Sequence, residues 1–100
     1  MDSEKPDIRI ADVVESTAGK DMGKLFYCVG TDGVYLLLAN GKDRPLDKPK
    51  RKKRKHVEKV LRSETRVAAK IRSGDKVLNS ELRKDLAFMS RNITSHNQGG

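Results

Sequence analysis

Residues 11–39 read ADVVESTAGKDMGKLFYCVGTDGVYLLLA, and this stretch decides the fold class. Three short β-type runs are separated by glycine. The first, Ile10 to Ser16, carries Val13 and Val14. The second, Lys24 to Gly30, holds Phe26, Tyr27 and Val29, and the third, Val34 to Ala39, is almost wholly apolar. Aromatic and β-branched residues suit a pleated strand. Gly19 and Gly23 bound the first connection, where a tight loop calls on glycine to adopt positive φ. Asp32-Gly33, between two apolar runs, is a hairpin signal, and Asn40-Gly41 repeats it after the third run. The spacing predicts a meander of three strands.

Side chains alternate across a strand, so a half-buried strand alternates in polarity. The second and third runs do not: Leu25 to Val29 and Val34 to Ala39 are apolar at odd and even positions. Both sheet faces are therefore apolar, and one of them needs a cover. The tail offers it. Ser63 is a candidate N-cap and Gly74 a C-terminal stop for a helix bearing Val67, Ala68 and Ile71. Asn79 or Ser80 starts a second helix, in which Leu78, Leu82, Leu86, Met89 and Ile93 recur at helical spacing. These helices are expected to lie on the outer face of the second and third strands.

Between meander and tail the chain is basic. Residues 42–55 hold nine Lys and Arg against Asp43 and Asp47, and Pro45 and Pro49 exclude a helix or a central strand. Within them, residues 48–55, KPKRKKRK, carry seven cations and no acid. Arg54 to Val57 is expected as a short edge strand closing a barrel, since an edge tolerates dense lysine. On this reading the run is solvated, and glutamine at Lys50, Lys52, Lys53 and Lys55 leaves the fold intact.

The bulk properties agree. A chain of 100 residues, with 35% hydrophobic and 36% charged residues, makes one domain with a small core and no room for a deep catalytic cleft. A net charge of +8 and a pI near 9.8 point to a polyanionic partner, nucleic acid or an anionic membrane surface. The lone Cys28 excludes an internal disulfide and suits a reducing compartment; it reads as a buried thiol. Met1 to Ile10 lacks the apolar run of a signal peptide, and no window approaches the roughly 18 apolar residues of a membrane span. A cytoplasmic protein is expected. No Ser/His/Asp set, Walker loop or paired acids stand out, and two histidines with one cysteine make no ligand cluster. No catalytic residue, cofactor or metal is expected.

Val14, Gly19-Lys20-Asp21, Gly23-Lys24 and Val29 resemble the KOW motif of ribosomal and transcription-elongation proteins. The likeness extends through Ala39-Asn40-Gly41-Lys42, Arg44, Leu46 and Lys48-Pro49-Lys50 to His56. Over about residues 8–57 the chain resembles the small bacterial KOW-domain RNA-binding proteins, related to the archaeal and eukaryotic large-subunit ribosomal protein fourteen-e. The resemblance implies an SH3-like barrel and RNA contact through the glycine loop and its basic neighbours. Met22 stands where that family often has a basic residue. Combined with the residue patterns, this gives a mainly β domain: a KOW-type barrel of four to five strands over 8–60 and helices over 61–94. Flexible ends are expected at 1–7 and 95–100.

The expected function is non-catalytic binding of structured or ribosomal RNA by a monomer, in translation. The expected contacts are Gly19, Lys20, Gly23 and Lys24 in the loop, then Lys42, Arg44, Lys48, Lys50, Arg51, Lys52, Lys53, Arg54, Lys55 and His56. Loop N–H groups and lysines suit phosphate oxygens, and dense cations gain from counterion release. Each feature also has a plainer reading: a glycine turn, a solvated charge run, or a nuclear localisation signal. His56 suits phosphate contact or barrel closure equally. Phe26, Tyr27 and Tyr35 could stack on bases, but core packing suits them better. The alternative function is a protein-interaction adaptor on the same barrel, marked by an apolar sheet face that the tail leaves uncovered. Membrane-surface binding ranks last, for want of a basic amphipathic helix with bulky apolar anchors.

Overall fold

The computed structural model describes residues 7–99, with side chains through Asn92. Residues 1–6 and Gly100, within the ends expected to be flexible, and the Ile93 side chain lie outside the described residues. Strands β1 (Asp12–Ser16), β2 (Leu25–Asp32), β3 (Tyr35–Ala39), β4 (Lys50–Lys53) and β5 (Val57–Arg62) precede helices α1 (Arg66–Ser73) and α2 (Asn79–Gly99). A single 3-10 turn, Arg54–His56, joins β4 to β5. Every pairing is antiparallel, in the order β4-β3-β2-β1-β5. The mainly β class, the meander and two C-terminal helices are all present. The sheet is open, however: β4 and β5 are its edges, and no ladder joins them among the described residues.

The glycines act where the meander needs them. Gly19 and Gly23 have φ of +83° and +88°. Gly33, at φ +63°, opens the two-residue turn between β2 and β3. Gly30 lies just past a bulge in β2, and a Cβ there would sit 3.0 Å from Leu37 Cδ1, so its absence lets β3 approach.

The basic run departs from expectation. The strand is Lys50–Lys53, and Arg54–His56 is the 3-10 turn rather than an edge strand. Register explains it. Tyr35 to Leu38 of β3 need a partner, and Lys53 to Lys50 supply it. The fifth strand, Val57–Arg62, runs two residues beyond the expected barrel, because β1 offers its free edge as far as Asp12.

Two cores flank the sheet. Ile8, Val14, Phe26, Cys28, Leu36, Leu38 and Val57 cluster on one side. On the other side Val13, Tyr27 and Ala39 pack against Val67, Ala68, Leu82, Leu86 and Met89, the cover that two-faced apolarity required. Ser63 does not cap α1. Thr65 does, accepting from Ala68 N–H at 3.2 Å. Asn79 likewise does not cap α2: its Oδ1 accepts from Leu46 N–H at 2.8 Å, while Glu81 reaches back to Leu78 N–H at 3.0 Å. α2 continues to Gly99, through five of the six residues read as a flexible tail.

Tyr27 anchors the helices to the sheet. Its hydroxyl donates to the Asp85 carboxylate and bonds Ser63 Oγ at 2.8 Å, while Thr65 Oγ1 donates to Asp85 at 2.7 Å. Burial and the Asp85 carboxylate push the phenol up to about 12, so it stays a donor. Phenylalanine at this position removes the hydroxyl from a buried network and leaves its partners short. Tyr27→Phe is expected to cost about 1–3 kcal/mol in urea unfolding with an unchanged slope.

Candidate nucleic-acid interface

The glycine loop is held to β4 by a buried ion pair. Asp21 accepts from the Lys52 ammonium at 2.7 Å and from Ser16 Oγ at 2.9 Å, and Lys50 Nζ lies 3.4 Å away. Lys52 also donates to Ala18 O at 2.7 Å. The Lys52 and Asp21 side chains are 8% and 11% exposed, so this pair is shielded from solvent. Burial alone would raise the Asp21 carboxyl, but Lys52, the Ser16 hydroxyl and Lys50 outweigh it and hold it at about 2. The pair thus ties the β1–β2 loop to the β4 edge of the sheet. Lys52, expected at the RNA surface, faces inward because it sits opposite Leu36, which belongs to the core of Val14 and Phe26.

The other expected contacts separate into two groups. Lys24 of the glycine loop pairs with Asp43 of the β3–β4 loop at 2.6 Å, and Lys24 and Lys42 line one groove of about 530 Å³. Lys20, Arg44 and Lys48 are exposed on the same two loops, without side-chain partners among the described residues. The second group follows β4 to the β2–β3 turn. Lys53 pairs with Tyr35 in the ladder, while Lys50 pairs with Leu38. At about 3.3 Å per residue, β3 sets Lys53 on the order of 15 Å from the groove end. Lys53 and Lys55 are exposed there.

Arg51 and Arg54 already have internal tasks. Arg51 lies 4.0 Å over the Tyr35 ring and 3.3 Å from Asp32. Arg54 Nε donates to Gly33 O at 3.0 Å. His56 is half-buried, and its backbone carbonyl accepts from Thr17 N–H at 2.9 Å. Gly19 stands beside the buried pair, where a Cβ would lie 3.6 Å from Lys52 Nζ, whereas Gly23 opens on the groove.

The sequence marks the tail helices only as a cover for the sheet, yet α2 also completes the groove. Arg83 lines it, and its guanidinium donates to Gly41 O at 2.8 Å. The one available signal was the spacing of Arg83, Leu86, Ala87 and Ser90, which places them on one helix face. The three aromatics weighed for base stacking lie elsewhere: Phe26 and Tyr27 are fully buried, and Tyr35 is half-buried under Arg51. Burial pushes the Cys28 thiol up, away from reactivity. Among the described residues no group of His, Cys, Asp or Glu could hold a metal ion, and no helix is long and apolar enough to cross a membrane. A scan against protein-family models and a search of curated proteins return no match to this chain.

Proposed function

We propose that this protein binds structured RNA without catalysis, in the cytoplasm, as a KOW-type domain of SH3-like design acting in translation. The observation that carries the reading is a strip of exposed lysine and arginine with few acidic partners. It has two ends, Lys24, Lys42, Arg44 and Lys48 on the loops and Lys53 and Lys55 at the far end of β4, with the exposed, Asp32-paired Arg51 between them. Such a strip gains from polyanion contact, because each phosphate met releases condensed counterions. The strand order, with a 3-10 turn between the two edge strands, supports the SH3-like description. Lys52 leaves the contact set and Arg83 joins it.

The adaptor alternative required an uncovered apolar sheet face. That face lies under α1 and α2, so the basic strip is the surface left to explain. Filter binding with labelled RNA, challenged by unlabelled RNA and DNA, tests the proposal. Saturable retention that RNA displaces better than DNA is expected. A chain that retains neither nucleic acid at low salt sends the assignment to the adaptor.

A further inference from the structure

We infer that the groove between the Gly23 loop, the β3–β4 loop and α2 holds one unpaired nucleotide of the bound RNA. Its phosphate lies among Lys24, Lys42 and Arg83, and its base lies against Leu25, Leu86 and Ala87. This inference rests on the RNA-binding reading and specifies what one part of the surface takes. The groove, at about 530 Å³, has the size of ordinary ligand sites.

Its chemistry is two-sided. Lys24, Lys42 and Arg83 supply cations from three different elements, and Leu25, Leu86 and Ala87 supply an aliphatic surface beside them. A nucleotide has the same division, an anionic phosphate and a flat base with an apolar face. In a duplex that face is hidden in the stack, so only an unpaired base can use the aliphatic surface.

The groove is formed before any ligand arrives. Gly41 has φ +76°, and a Cβ there would come within 2.3 Å of Asn79 O, so the β3–β4 loop sits directly on α2. The Arg83 guanidinium gives one N–H to Gly41 O, and the others remain for a phosphate. Fixing the cation on backbone reduces the ordering that binding would otherwise require.

Among the described residues, Asp43 is the one acid lining the groove. Its pair with Lys24 is exposed, 49% on the lysine and 46% on the aspartate, so a phosphate can replace it at little cost. Until replaced, the carboxylate opposes the ligand. This produces a change of opposite sign to most interface mutations.

Fluorescence anisotropy with a short single-stranded RNA and a blunt duplex of equal length tests the assignment. The wild-type chain is expected to prefer the single strand. Asp43→Asn is expected to tighten single-strand binding about two- to fivefold, the size of one surface charge interaction. Ala87→Glu places a carboxylate on the groove wall from an exposed helical position with good propensity. It is expected to weaken single-strand binding about tenfold or more, since like charges at an interface are costly. Glu58→Gln on β5 makes the same charge change as Asp43→Asn outside the groove and is expected to leave affinity unchanged.

Single-strand binding that ignores both groove variants overturns the groove assignment and leaves RNA binding standing. Equal or greater affinity for the duplex overturns the unpaired nucleotide. A free mononucleotide that competes as well as the unlabelled strand overturns the strand as its source. A wild-type chain that binds neither RNA overturns the reading beneath.

Discussion

Replacing Lys52 by methionine is expected to cost about 3 kcal/mol or more, because removing one partner of a buried ion pair leaves the other charge uncompensated. Methionine keeps an unbranched apolar stem one atom shorter, so the loss is chiefly that of the ammonium. Asp21 then retains Ser16 at 2.9 Å and Lys50 at 3.4 Å, which places the effect at the lower end of the range. The whole domain is held by only about 5–15 kcal/mol, so the midpoint of urea unfolding should move far. Combining Lys52→Met with Asp21→Asn should restore much of the loss, since an uncharged replacement of both partners is often neutral. A double-mutant cycle without coupling would show that the pair does not hold the loop.

The same pair gives acid sensitivity of a defined sign. The folded Asp21 carboxyl lies at about 2 against an ordinary value of 3.8, so it is depressed by folding. Its contribution is present in full above the ordinary value and fades as pH falls from about 4 towards about 2. By linkage it amounts to about 2 kcal/mol. In Lys52→Met this part of the acid destabilisation should shrink.

Raising salt fourfold is expected to weaken RNA binding roughly 300- to 2,000-fold. Lys20, Lys24, Lys42, Arg44, Lys48 and Arg83 are exposed cations on the two loops and on the α2 face that lines the groove. If those six meet phosphates, at about 0.7–0.9 per contact, log affinity falls against log salt with a slope near −4 to −5. Glutamine at Lys42, Arg44 and Lys48 should flatten that slope by about two to three units. All three side chains are exposed, so stability should change by no more than about 0.5 kcal/mol each. Glutamine at Lys50, Lys52, Lys53 and Lys55 would not make this test, because Lys52 would confound binding with unfolding. A triple variant of Lys42, Arg44 and Lys48 that keeps the parent slope identifies this loop group as a solvated surface.

Local pattern was enough for the meander, the two-faced sheet and its helical cover. Val13-Val14, Phe26 to Val29 and Leu36 to Leu38 announce strands by residue type. Gly19, Gly23 and Gly33 announce turns by the backbone freedom those turns need. The Leu82, Leu86 and Met89 stripe announces the covering helix, because helical period and burial act within one segment. These features depend on neighbours in the chain, which the sequence states directly.

Three things were settled only in three dimensions. Lys52 looked like its neighbours in a run of cations, and only pairing with Leu36 and closeness to Asp21, thirty-one residues away, turned it inward. Arg83 is brought to the loops only because Gly41 packs on Asn79, a contact too distant along the chain for any local pattern to state. The sheet stayed open between β4 and β5, because strand order is set by long-range pairing. A residue's charge is written in the sequence, but whether that charge meets solvent, a buried carboxylate or a groove depends on what the fold places beside it.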